Sequence, residues 1–162
     1  NLENTNSIKQ GLYKINPDLA LTFGTRKLTK KTISIFKKYL VNIHRGITQN
    51  YRGLDSEYWP IYHNDFDNVG STLHKIDETL DTGDIIFQSK LDFKKVKNIY
   101  NLRALTTEIA LKQTIDFFSL LNIGKVKFQK QEQVGRYYSF MPLDLKKMCD
   151  KKLKIFMKKN NG

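Results

Sequence analysis

The stretch from Leu19 to His44 reads as a strand, a helix and a second strand, and this limits the fold more than any other feature of the chain. Leu19 to Gly24 is LALTFG, a continuous apolar run closed by glycine, the pattern of a strand buried on both faces. From Thr29 to Tyr39 the chain sets Ile33, Phe36 and, just beyond, Leu40 at helical spacing, with lysines on the outside and threonines available to cap the start. Val41 to His44 is short, β-prone and followed closely by Gly46. Two strands joined through a helix in so few residues call for a right-handed crossover and parallel pairing. The expected class is α/β, with a mostly parallel β-sheet flanked by helices.

At 162 residues the chain is of single-domain size, so residues 1–162 are expected to share one core. Hydrophobic residues at 40% and charged residues at 27% place it among globular proteins rather than disordered ones. Its 28 Lys and Arg against 16 Asp and Glu leave a formal charge of +12, which draws anionic partners such as nucleotide-linked small molecules or nucleic acid. No apolar stretch approaches the roughly 20 residues needed to span a bilayer, and the single cysteine, Cys149, has no internal disulfide partner. A reducing cytoplasm fits that composition. The chain opens without methionine and without a signal-like apolar core, as expected of a processed, trimmed or partial sequence.

Further along, Ser56 to His63 reads as a short helix, and Val69 to Asp77 and Asp84 to Asp92 read as strands around an acidic turn. A long helix is expected from Asn98 to Leu121. Tyr100, Ala104, Leu111, Ile115 and Phe118 make one seam and Leu102, Leu105 and Ile109 another, the pattern of a largely buried helix. The chain is then polar until GRYYSFMP, and residues 143–159 form a basic amphipathic helix with Leu145, Cys149, Leu153 and Phe156 on its apolar side. That helix would serve equally for a homodimer or for packing on its own domain.

Three polar residues stand out. Asn42 and His44, two apart on a strand, point the same way, toward the crevice at the carboxyl ends of a parallel sheet. Asp81 lies in the turn LDTGD, where Gly83 would let the chain reverse and present the carboxylate. An amide, an imidazole and a carboxylate suit acyl-group transfer, which needs a donor to an oxyanion and an acceptor for a proton. His74 reads as a structural strand histidine and His63 as a helix C-terminal cap. The three histidines and one cysteine lack zinc spacing.

In order, the segment NIHRG, YRG (Tyr51 to Gly53), Trp59, GSTLHKID and LDTGDII resembles the 10-formyltetrahydrofolate-dependent formyltransferases, and the likeness extends from PDLALTFG to GRYYSFMP. The resemblance implies a Rossmann-like catalytic domain and 10-formyltetrahydrofolate as co-substrate. Asn42 and His44 would polarise the formyl carbonyl and stabilise its oxyanion, and Asp81 would orient His44 and help move the amine proton. It implies that Arg26, Leu28, Asp77, Glu78 and Thr79 line the pterin site, and that Tyr51 and Arg52 lie on the acceptor side. Gln49 replaces a proline usual in the family, and the βα units that normally precede LALTFG are expected either to lie outside the residues given or to be replaced by another chain at that sheet edge. The favoured acceptor is a nucleotide-linked amino sugar. Glycinamide ribonucleotide and methionyl-tRNA are the enzymatic alternatives, and a non-catalytic RNA-binding or assembly module is the alternative of another class.

Overall fold

A computed structural model describes residues 2–160. In chain order the elements are α1 (Asn6–Ile15), β1 (Leu19–Phe23), α2 (Lys30–Ile33), β2 (Tyr39–His44), β3 (Tyr51–Gly53), α3 (Trp59–Tyr62), β4 (Gly70–Lys75), β5 (Ile85–Lys90), α4 (Leu102–Asn122), β6 (Arg136–Tyr138) and α5 (Leu143–Asn160). The four-stranded sheet has the order β1-β2-β4-β5, and β3 and β6 form a separate two-stranded parallel pair. α4 lies on the sheet, where Phe117 closes over Val41 and Leu73. A second cluster joins Ile61 of α3, Val69, Leu91, Leu102 of α4, and Cys149 and Leu153 of α5. Apolar burial at these two seams is the main force holding helices to sheet.

The α/β architecture and the parallel β1–β2 crossover are those expected, with Thr22 opposite Asn42. The rest of the described main sheet corrects the mostly parallel expectation, since β2–β4 and β4–β5 are both antiparallel. The reason is local. The acidic turn between β4 and β5 is a direct reversal with no crossover helix, and a reversal of that kind joins antiparallel strands.

Other expectations change in extent. The helix expected over Thr29 to Tyr39 is a single turn, Lys30–Ile33, capped by the Thr29 side chain. Thr32, Ile33 and Ile35 are β-branched and disfavour helix, and the chain is already returning to β2. The polar N-terminal lead forms α1, ended by Asn16 in the left-handed region (φ 44) with its N–H on the Leu12 carbonyl. β1 is an edge strand in the described residues, and Leu21 and Phe23 are exposed rather than buried on both faces. α4 is likewise one-sided. Leu102, Ala110 and Phe117 are buried, but Leu111, Ile115 and Phe118 face outward.

The segment GRYYSFMP is held by ring stacking and by backbone. Tyr138 stacks between Tyr51 (5.4 Å) and Trp59 (4.8 Å), and the Trp59 indole donates to the Ser139 carbonyl. Gly135 enters this region where a Cβ would come within 2.5 to 2.7 Å of the Thr48 and Asn50 backbone. Backbone cannot yield as a flexible side chain can, so Gly135→Ala should destabilise the fold by about 2 kcal/mol. Urea unfolding of the two proteins measures this, and an unchanged midpoint would show that the β3–β6 pair contributes little.

Candidate active site

Strand pairing places the three polar residues before any tertiary packing is invoked. Asn42 and His44 lie on β2 with their side chains on one face, and the antiparallel register sets Asn42 opposite His74 on β4. The acidic turn after β4 then folds back and delivers Asp81. Asp81 itself takes the left-handed conformation there (φ 57). Gly83 is needed for a different reason than a free φ: a Cβ at that position would collide with the Lys75 carbonyl.

The Asp81 carboxylate is the centre of the arrangement and is only 11% exposed. Oδ2 accepts the Gly53 N–H at 2.9 Å and lies 3.6 Å from His44 Nδ1, while Oδ1 lies 3.5 Å from His74 Nε2. Burial alone would raise its pKa, but the two imidazoles and the Gly53 N–H outweigh it and bring the carboxyl down to about 2. His44 is buried, and its Nε2 donates to the Tyr51 carbonyl at 2.9 Å. A carbonyl only accepts, so neutral His44 has its lone pair at Nδ1, facing Asp81. Burial lowers the His44 pKa, with Asp81 opposing and His74 adding to the shift. The resting state consistent with both directions is an ionised Asp81 beside a neutral His44.

Asn42 is pinned on two sides. Its Oδ1 accepts from the Thr22 hydroxyl at 2.8 Å, and its Nδ2 lies 3.3 Å from His74 Nε2. One Nδ2 hydrogen is left for a ligand. Asn42 and Asp81 stand on the wall between two cavities, one of about 570 Å³ and one of about 50 Å³. His44 lines the larger and His74 the smaller.

The residues expected around the pterin divide. Arg26, Leu28, Asp77 and Thr79 line the small cavity, whereas Glu78 pairs with Lys30 on the surface. Asp77 also closes the turn by accepting from the Thr79 N–H and the Thr82 hydroxyl. Neither Tyr51 nor Arg52, the residues expected on the acceptor side, lines either of these two cavities. The Tyr51 hydroxyl donates to Asp65 at 2.9 Å, and Arg52 donates to the carbonyls of Gly135 and Leu80. Their donors hold loops in place.

Sequence reading passed over three contributors. Thr22 and His74 matter only through cross-strand register. The third is a buried ionic group at the far wall of the larger cavity, where the Asp55 and Glu57 side chains are each 2% exposed. Arg103 reaches both (3.1 and 2.7 Å), and Lys146 reaches Asp55 at 2.7 Å. Among the described residues no group of three or more His, Cys, Asp and Glu is placed to hold a metal, and no helix is long and apolar enough to cross a membrane.

The chain is 29% identical to the methionyl-tRNA formyltransferase of Caldicellulosiruptor saccharolyticus over 83% of its length, and 30% identical to that of Clostridium acetobutylicum over 86%. It spans only 42% and 45% of those two relatives. Among solved structures it resembles a formyltransferase of Anoxybacillus kamchatkensis in complex with UDP-4,6-dideoxy-4-formamido-L-AltNAc and tetrahydrofolate. That match has a TM-score of 0.68 and 25% identity, covering 77% of this chain and 66% of the other. A 4-N formyltransferase of Francisella tularensis shares the fold, with a TM-score of 0.71 and 21% identity over 88% of this chain and 62% of that one. The family profile described as formyl transferase matches residues 1–114, and so the chain belongs to the formyl transferase family.

Proposed function

We propose that this chain carries the catalytic centre of an N-formyltransferase that moves the formyl group of 10-formyltetrahydrofolate to a primary amine of a nucleotide-linked amino sugar. The observation that carries the reading is the convergence of Asn42, His44 and Asp81 at the larger cavity, with Asn42 and Asp81 on the wall it shares with the smaller one. A donor and a proton acceptor at such a junction can serve a carbonyl brought from one side and an amine brought from the other. The small cavity, lined by Leu28, Ile76 and residues of the acidic turn, has the size for an edge of a flat heterocycle, and the larger one has room for an acceptor.

The chemistry follows from the tautomers. The amine nitrogen attacks the formyl carbon, and the carbonyl electrons move to oxygen. The Asn42 N–H that is not bonded to His74 donates to this oxyanion. His44 takes the amine proton at Nδ1, and Asp81 stabilises the imidazolium that results. Collapse of the intermediate breaks the bond to the folate nitrogen, which receives the proton from His44. Tetrahydrofolate and the formamide leave.

The charge on the cavity wall supports an anionic acceptor. The Asp55 and Glu57 carboxylates are matched by Arg103 and Lys146. Lys27 and Arg45 line the same cavity, and Arg45 lies 5.1 Å over the Phe23 ring without an ion-pair partner among the described residues. Cations so placed favour a phosphate-bearing ligand. The neighbour solved with a UDP-linked formamido sugar supports an amino-sugar nucleotide as that ligand. The matches to methionyl-tRNA formyltransferases keep methionyl-tRNA as the second reading.

Incubated with 10-formyltetrahydrofolate and a panel of amino-sugar nucleotides, the chain should form a formamide detectable by mass spectrometry. His44→Ala should abolish the product, and Asp81→Asn should lower turnover at least about tenfold, roughly 1.4 kcal/mol in barrier. Formylation of methionyl-tRNA alone would replace the acceptor named here, and a fully active His44→Ala would sink the mechanism. Arg45→Ala should raise the acceptor KM about tenfold and leave the folate KM unchanged; equal changes in both would exclude an acceptor-specific role.

Acid should destabilise the fold in two stages. His44 has a folded pKa below its ordinary 6.5, so the unfolded chain takes up a proton that the fold refuses, and stability falls as pH drops below that value. Asp81 has a folded pKa of about 2 against 3.8, so its contribution is whole above 3.8 and is lost as pH falls toward 2. The Asp81 part is on the order of 2 kcal/mol. Thermal unfolding of wild type and Asp81→Asn across this range should converge at the acid end; a constant gap would remove Asp81 from the acid response.

A further inference from the structure

The side-chain amide of Asn42 has two ends alike in shape and opposite in chemistry. Its N–H end stabilises an oxyanion, and its carbonyl end would repel one. Which end faces the reaction is decided by a relay that starts at a backbone carbonyl. His74 Nδ1 lies 2.7 Å from the Lys75 carbonyl oxygen, which can only accept, so Nδ1 carries the proton. In the neutral ring Nε2 is then an acceptor. The Asn42 atom 3.3 Å away must be a donor, which makes it Nδ2. Oδ1 is left to the other side, where the Thr22 hydroxyl supplies a proton at 2.8 Å. Register makes the relay continuous, with Thr22 opposite Asn42 and Asn42 opposite His74 across three neighbouring strands.

We propose that His74 is a positioning residue for Asn42: its Nδ1-protonated tautomer, set by the Lys75 carbonyl, keeps the Asn42 N–H end toward the reacting carbonyl. A second proton, at Nε2, undoes this. The ring then donates where it had accepted, and its nearest anion, Asp81 Oδ1 at 3.5 Å, draws that hydrogen away from Asn42. The charged and titratable groups around the ring are Asp81 from the acidic turn, His44 from β2, and Arg26, Lys27 and Asp77 around the small cavity. Lys75, next on its own strand, turns its ammonium over the Phe128 ring at 5.9 Å. The consequence for rate rests on the formyl-transfer reading; the tautomer does not.

Two measurements on the full chain test the inference. In a ¹⁵N imidazole spectrum above neutral pH, His74 should carry its proton on Nδ1 with Nε2 bare, and a proton on Nε2 would overturn the relay. In transfer assays, His74→Leu should lower kcat about tenfold or more with the folate KM within about threefold. The Asn42→Ala/His74→Leu double variant should then be no slower than Asn42→Ala. Losses that multiply would mean that His74 acts through something other than Asn42. His74→Gln, which offers an unprotonatable acceptor, should restore part of the rate. A His74→Gln variant no faster than His74→Leu would count against the acceptor role. Should the unmodified chain transfer no formyl group, the functional reading fails, and the spectrum still decides the tautomer.

Discussion

The ionised Asp81 carboxylate, almost wholly removed from water, is the constraint around which the site is organised. A buried anion is tolerated only when partners replace its lost hydration. Here the Gly53 N–H at the end of β3 donates to it, and two imidazoles, His44 at the end of β2 and His74 on β4, stand 3.6 and 3.5 Å away, where a proton on either ring would balance its charge. The carboxylate therefore fixes the separation of the strand ends as well as the chemistry. The turn that carries it must hold a non-glycine residue in the left-handed region, which is unfavourable without support. That support comes from Gln131, which donates to the Asp81 and Gly83 carbonyls at 3.0 and 2.8 Å, and from Arg52 on the Leu80 carbonyl.

A second buried ionic group does comparable work at the far wall of the larger cavity. Asp55, also left-handed (φ 52), accepts the Met141 N–H and meets Arg103 and Lys146. It thus ties the loop after β3 to α4, to the segment after β6 and to α5. A lone carboxylate at 2% exposure would be untenable, and two cations with one backbone donor make it a structural joint. The cavity is bounded by two such joints, so its shape depends on electrostatic matching as much as on apolar packing.

How much of this was legible in the sequence depends on the range of the cause. The β1–β2 crossover follows from local periodicity and glycine placement, and it was legible. The nearness of Asn42 and His44 was legible because their spacing puts both on one strand face, and the glycine-bearing turn announced that Asp81 would be presented at a reversal. His74 was not legible, because its value lies in standing opposite Asn42, and antiparallel register is a pairing between distant segments that neither encodes alone. The surroundings of Arg52 were hidden for a similar reason. An arginine beside a catalytic strand suggests a ligand, but the carbonyl that takes up its donor belongs to Gly135, brought back by the β3–β6 pairing. The burial of LALTFG and of α4 was misjudged because an apolar residue specifies a preference for burial, while exposure depends on which neighbours are there to cover it.

The two imidazoles on one carboxylate also explain the direction in which protons can move. With Asp81 ionised and His44 neutral, the resting site lacks the cation that would balance its buried charge. In the proposed transfer, a proton arriving at His44 Nδ1 creates that cation beside Asp81, so charge separation there is favoured where it would be opposed in an apolar pocket. His74 cannot take the same role without penalty, because a proton at its Nε2 removes the acceptor that orients Asn42. The carboxylate is shared, yet the two histidines are not interchangeable. Their carbonyl partners, Tyr51 at Nε2 of one ring and Lys75 at Nδ1 of the other, give them opposite tautomers. Division of labour between two chemically identical side chains is thus set by which nitrogen a backbone oxygen happens to meet, and that is fixed by the path of the chain rather than by the identity of the residues.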